Sequence, residues 1–372
     1  MRIRNPLAGL PREVSILVVI AFLVALGFGI VAPAIPLFAR QFGVSYFAVG
    51  AVISAFAFMR FISALGVGSA MFTVSALGLL LRSAGEDQRG RAAGVFQGGF
   101  LLGGISGPAV GGLISAYSIR ATFFIYAGML VIAGLFAITA LRSSQTAQRP
   151  TGRATNDSDR GLRPLLVALR NRSFVTAMVI NLGNGFASFG LRASLVPLFV
   201  VEALLKGPLL AGIGFFVSAG VQAVLLIPAG RLSDERGRKP ALICGTGAVT
   251  IGMIVLASST TSLVFLLGMA LLGIGSAFMG SAPAAVVGDV SPARGGTVVA
   301  AFQMASDFGA ITGPLFAGWI VAQSGFPLAF SAGAIVAALG LLLAISMRET
   351  HTPSTTTAST EPAGRGSTGE IG

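Results

Sequence analysis

The chain has 372 residues, 54% of them hydrophobic and only 10% charged, with a mean hydropathy of +0.86. A soluble domain carries about 25% charged residues, so this composition excludes a water-facing globule and points to an all-α membrane protein. The formal net charge of +12 lies in short segments between apolar runs, where basic residues orient a membrane protein; no nucleic-acid partner is expected.

Apolar segments run over 14–38, 46–81, 92–117, 121–141, 173–201, 207–229, 241–258, 262–288, 297–322 and 326–347. The first, from Val14 to Phe38, is too long for a signal-peptide core and reads as a retained helix. Residues 1–141 make an N-terminal helical half. Residues 142–172, with seven arginines, make a cytoplasmic linker. Residues 173–348 make a C-terminal half, and 349–372 have no apolar face and are expected to be a disordered tail. Cys244 is the single cysteine and His351 the single histidine, so no intrachain disulfide or His/Cys metal cluster can form. No cofactor is expected. Nor is an enzyme, because no Ser/His/Asp or metal constellation is present.

The halves repeat each other. Phe28-Gly29 and Pro36-Leu37-Phe38 recur 161 residues later as Phe189-Gly190 and Pro197-Leu198-Phe199. Gly50, Ser54 and Ala55 recur at an offset of 164 as Gly214, Ser218 and Ala219. Leu65-Gly66 and Gly68-Ser69-Ala70 recur at 207 as Leu272-Gly273 and Gly275-Ser276-Ala277. Phe96-Gln97, Gly107-Pro108 and Gly112 recur at 206 as Phe302-Gln303, Gly313-Pro314 and Gly318. An ordered series of this kind marks internal duplication, the architecture of many transporters. The jump in offset between Ala64 and Leu65 implies that the first half lacks about 43 residues that the second has.

The 46–81 run is 36 residues long, too long for one relaxed crossing and barely enough for two. With one net crossing, twenty basic residues fall on the cytoplasmic side, and only Arg40, Arg120 and Lys206 fall outside. A hairpin near Leu65 would move seventeen of those twenty outside, against the positive-inside rule. Ten crossings are therefore expected, four and then six, with both termini cytoplasmic.

Two motifs stand out. Gly230-Arg231-Leu232-Ser233-Asp234-Glu235-Arg236-Gly237-Arg238-Lys239 joins two apolar segments. In it Gly230 and Gly237 permit a tight turn, Arg236, Arg238 and Lys239 hold the loop in the cytoplasm, and Asp234 pairs with a neighbouring helix end. Gly94, Gly103, Gly107, Pro108, Gly111 and Gly112 form the second. Gly99, Gly103, Gly107 and Gly111 recur every four residues and make one helix face a groove for a close neighbour, and Pro108 removes a backbone donor and kinks the helix. The chain resembles the major facilitator superfamily from Val14 to Met347, and the glycine motif is similar to that of its drug/proton antiporters. The resemblance implies a major-facilitator-like two-half helical bundle of about ten membrane helices, twelve minus about two in the N-terminal half, in a bacterial cell membrane. It also implies a monomer that exchanges a small-molecule substrate, amphipathic or a drug, for protons across the lipid bilayer. A solute importer of the same fold and a transport-inactive product remain alternatives.

Ionisable groups within a bilayer are costly and mark functional candidates. Asp307, Arg192 and Arg60 are the three. Asp307 either carries a coupling proton, gated by Arg192, or forms a fixed buried pair with it, or faces water near a helix end. Asn181, Asn184, Gln222 and Gln303 are further polar groups expected to line a cavity.

Overall fold

The computed structural model describes residues 11–66, 89–141, 163–280, 282–290 and 296–350. Among these, every regular element is helical. The N-terminal set comprises α1 (Arg12–Val31), α2 (Ala34–Arg40), α3 (Tyr46–Gly66), α4 (Arg89–Tyr117) and α5 (Ile119–Leu141). A short α6 (Arg163–Leu169) follows. The C-terminal set comprises α7 (Arg172–Ala203), α8 (Pro208–Glu235), α9 (Arg238–Ala257), α10 (Ser262–Met279), α11 (Ala282–Val290), α12 (Gly296–Ser324) and α13 (Phe326–Ser346).

Among the described residues, eight stretches are long and apolar enough to cross a membrane: Arg12–Arg40, Gly98–Tyr117, Ile119–Ala140, α7, α8, α9, Ser262–Asp289 and α13. Helices α3 and α12 add 21 and 29 residues, about 32 and 43 Å at helical rise, against a hydrocarbon core of about 30 Å. The protein is an all-α membrane bundle. The 46–81 run is helical as far as Gly66, and its remainder lies outside the described residues.

Proline and glycine set several boundaries. The first apolar segment breaks into α1 and α2 at Ala32 and Pro33, since Pro33 and Pro36 donate no backbone hydrogen bond. Asn171 caps α7, accepting from the Ser173 N–H at 2.9 Å, and Thr261 caps α10 through Val264 N–H. Helix α7 widens twice, over Gly185–Arg192 and Phe199–Ala203, into π-helical turns such as the 2.9 Å bond from Leu204 N–H to Phe199 O.

Two segments between and beyond the apolar runs carry structure of their own. The linker contains α6, because Leu165 and Ala168 pack against an apolar cluster around Phe174, Leu242 and Phe302. At the start of the 349–372 segment, Glu349 is held against α9. The Glu349 carboxylate accepts from the N–H groups of Arg238 and Lys239 at 2.8 and 3.0 Å, where the free N–H groups and dipole of α9 favour an anion. Residues 351–372 lie outside the described residues.

Helix α1 packs along α4 and against α5, and α9 packs between α10 and α13. The two sets meet where α3 lies on α12 and α4 lies on α8. A larger apolar cluster joins Leu191, Phe199, Met253, Phe265, Met269 and Phe330 of the C-terminal set to Leu37 and Val49 of the N-terminal set. Large apolar side chains such as Phe124, Val224, Leu263 and Leu342 point outward, as lipid contact requires. Helices α5 and α13 occupy equivalent places in the repeat, yet 11% of the apolar window of α5 is buried against 39% of that of α13.

Candidate functional site between the two helix sets

The glycine motif builds a seam. A Cβ on Gly103 would overlap the backbone of Phe22 and Leu26, one on Gly107 that of Gly29, and one on Gly111 that of Ile30. The four-residue stripe therefore lies on α1, as its spacing predicts, with backbones too close for any side chain. Gly94 lies in the same helix, which runs unbroken through Pro108. Gly112 faces the other way and meets Gly212 of α8. The C-terminal set repeats the arrangement. Gly313 of α12 meets Gly190 of α7, as Gly107 meets Gly29, and Gly318 crosses to the Tyr46 backbone of α3. Gly50 of α3 abuts the Pro314 carbonyl, and the Ser54 hydroxyl donates to Ile311 O at 2.6 Å.

These contacts between the sets fall within about four turns of one end of the bundle. At that end an ion pair joins the sets. Arg40, at the close of α2, donates through Nε and Nη2 to Glu202 Oε1 and Oε2 at 2.8 and 3.1 Å. Tyr46 donates its hydroxyl to the same carboxylate, and the guanidinium carbon lies 4.3 Å from the Tyr46 ring centre. Sequence reasoning missed this cluster. Glu202 is a lone acid at the end of an apolar run, and nothing local names its partner 162 residues away.

Beside the seam is a cavity of about 330 Å³ lined by Phe28, Ile35, Phe38, Val52, Ile53 and Phe123, with Ala193 and Ala310 from the C-terminal set. Every side chain that lines it is apolar, so it suits an apolar body.

The polar candidates separate. Asn181 donates to Phe302 O at 2.8 Å and is buried, so it ties α7 to α12. Asn184 accepts from the Ser188 hydroxyl at 3.1 Å and borders a second, much smaller space of about 20 Å³. Gln222 is half-buried on α8 and Gln303 exposed on α12. Asp307 is half-buried on α12 and has a partner of its own. The pairing of Asp307 with Arg192 is not found. Arg192 Nη1 donates instead to the hydroxyls of Ser218 at 3.1 Å and Ser276 at 3.3 Å. The side chain of Arg60 lies outside the described residues.

The basic motif at the opposite end of α8 is also redrawn. Gly230 is inside α8 with open space beside it, and only Gly237 takes a positive φ, of 107°. Asp234, near the end of α8, pairs at 2.5 Å with Arg238, the first residue of α9, and it is Arg238 that crosses to the neighbouring helix end, at Asp289 of α11, 3.0 Å away. Arg238 also donates to Ser233 O, while Arg236 caps the end of α8 through its backbone N–H.

The sequence profile of the Major Facilitator Superfamily matches residues 58–218 and 181–369. An MFS-type transporter of Methanocaldococcus jannaschii is 21% identical over 84% of this chain and 92% of its own. The multidrug resistance protein MdtG of Proteus mirabilis is 24% identical over 73% of this chain and 67% of its own. A POT family transporter in complex with 5-aminolevulinic acid superposes with a TM-score of 0.71 at 9% identity, covering 91% of this chain and 96% of that one. With a helical bundle whose two sets repeat one set of glycine contacts, the chain belongs to the Major Facilitator Superfamily of membrane transporters and is not an enzyme.

Proposed function

We propose that the protein exports a small amphipathic compound from a bacterial cell in exchange for protons. It would act as a monomer whose two helical halves rock about the seam between them. The observation that carries the reading is the seam itself. The halves touch through glycine backbones and the Arg40–Glu202 pair at one end, beside an apolar cavity to which both contribute. The complete antiporter motif on α4 and the likeness to MdtG of Proteus mirabilis support export.

Basic residues concentrate at the loop end of the bundle, so the Arg40 end faces outward under the positive-inside rule, with both termini cytoplasmic. In this orientation the structure is closed to the outside. Asp307 is the proposed proton carrier, as the carboxylate deepest in an apolar helix. The shallow burial of α5 fits a first half that lacks about 43 residues: α13 is covered by α9, and the equivalent face of α5 would lie on lipid.

Cells expressing the chain should lose accumulated fluorescent dye faster than empty cells, and an uncoupler should abolish the difference. Asp307→Asn should remove the pH dependence of export in protein that still reaches the membrane. Uptake of solute down its gradient would replace export with import, and pH-dependent export by Asp307→Asn would end the proton assignment.

A further inference from the structure

We propose that Arg192, presented by Ser218 and Ser276, is a binding site for the anionic group of the transported molecule, a carboxylate or sulfonate on an apolar body. The assignment rests on the reading of the chain as a transporter of amphipathic compounds and narrows their class. Arg192 stands well inside α7, which runs from Arg172 to Ala203, Ser218 stands inside α8, and Ser276, in the last turn of α10, lies near the middle of the apolar stretch Ser262–Asp289. All three lie within membrane-spanning stretches, where an uncompensated charge is expensive.

A guanidinium offers five donors. The two hydrogen bonds Arg192 makes both leave from Nη1 and both end on neutral hydroxyls. Its Nε is buried without a hydrogen-bond partner. No carboxylate pairs with it among the described residues. The residue as a whole keeps partial exposure. Planar, bidentate recognition of an oxyanion is what such a fork does best.

The internal repeat argues against a packing role. At the offset of 161, the position equivalent to Arg192 is Val31, which is buried and needs no charge. Ser54, the equivalent of Ser218, spends its hydroxyl on a backbone carbonyl instead. The equivalent place in the first half thus packs without an arginine. Arg192 also closes the π-helical turn Gly185–Arg192, an irregularity frequent at functional sites. The next residue, Ala193, lines the apolar cavity, about 100° further round the helix from Arg192.

The test uses the purified full chain in detergent, with 1-naphthaleneacetate and its uncharged amide as probes. The acid should raise the unfolding temperature in a saturable way, with at least tenfold tighter apparent binding than the amide. Arg192→Gln should erase that preference, and Arg192→Lys should keep part of it. Equal response to acid and amide, no response to either, or a preference that survives Arg192→Gln would overturn the site. Wild-type protein gives a check that needs no variant to fold. Phenylglyoxal should modify Arg192, read by mass spectrometry, and the acid but not the amide should slow the reaction. An unreactive or unprotected Arg192 overturns the proposal. Dye export measured in parallel separates the two readings: acid-selective binding without any flux removes the transport reading alone, and export with no acid preference removes the anion site alone.

Discussion

Glu202 is a single acid near the end of a long apolar helix, yet it receives Arg40 through two nitrogens and Tyr46 through its hydroxyl. A partly buried, bidentate charged pair of this kind contributes about 1–2 kcal/mol. Its loss should shift a two-state closure by about five- to thirty-fold. Ser54 is buried where α3 meets α12, so a thiol placed there reports opening. With Cys244→Ser as background, Glu202→Ala should speed maleimide labelling of Ser54→Cys by that factor, and an unchanged rate would show that the pair does not hold the end closed. The residues of the site were only partly legible in the sequence. Arg192 and Asp307 are visible because a charge within an apolar run is conspicuous. Their partners are not, because one-dimensional spacing does not say which helices become neighbours. Arg192 turned out to face the serines of α8 and α10.

Helices α1 and α4 were more readily read. Glycines four residues apart demand a face with no side chains, and α4 presents that face to α1 along Gly103, Gly107 and Gly111. Gly107→Ala would drive a methyl into the Gly29 backbone, a steric cost of about 1–3 kcal/mol. Gly104, with nothing within 4 Å of an added Cβ, should accept alanine without loss and gain up to about 1 kcal/mol of helix preference. Thermal unfolding of the two variants in detergent should separate them in that order; equal stabilities would mean that the seam is looser than the backbone positions indicate. The basic motif was harder to read. Gly230 looks like a turn residue beside Gly237, yet α8 runs through it to Glu235 and only Gly237 leaves helical space. A glycine permits a turn but does not enforce one, and the helix hydrogen bonds prevail where the chain has nowhere better to go.

For the whole molecule, the ordered repeat predicted two related helix sets, and the equivalent contacts Gly107–Gly29 and Gly313–Gly190 carry that symmetry into three dimensions. In the transport cycle proposed above, closure at the Arg40 end with a cavity beside the seam is one half, and the cycle requires the other. A reversible link across the closed end tests this most directly. Arg40→Cys and Glu202→Cys, combined in Cys244→Ser protein, can be bridged by a short bis-methanethiosulfonate reagent in proteoliposomes. The account predicts that bridging stops uncoupler-sensitive dye efflux and that reduction restores it. Efflux that continues at full rate through bridged protein would contradict it, because the two halves would then transport without parting at that end.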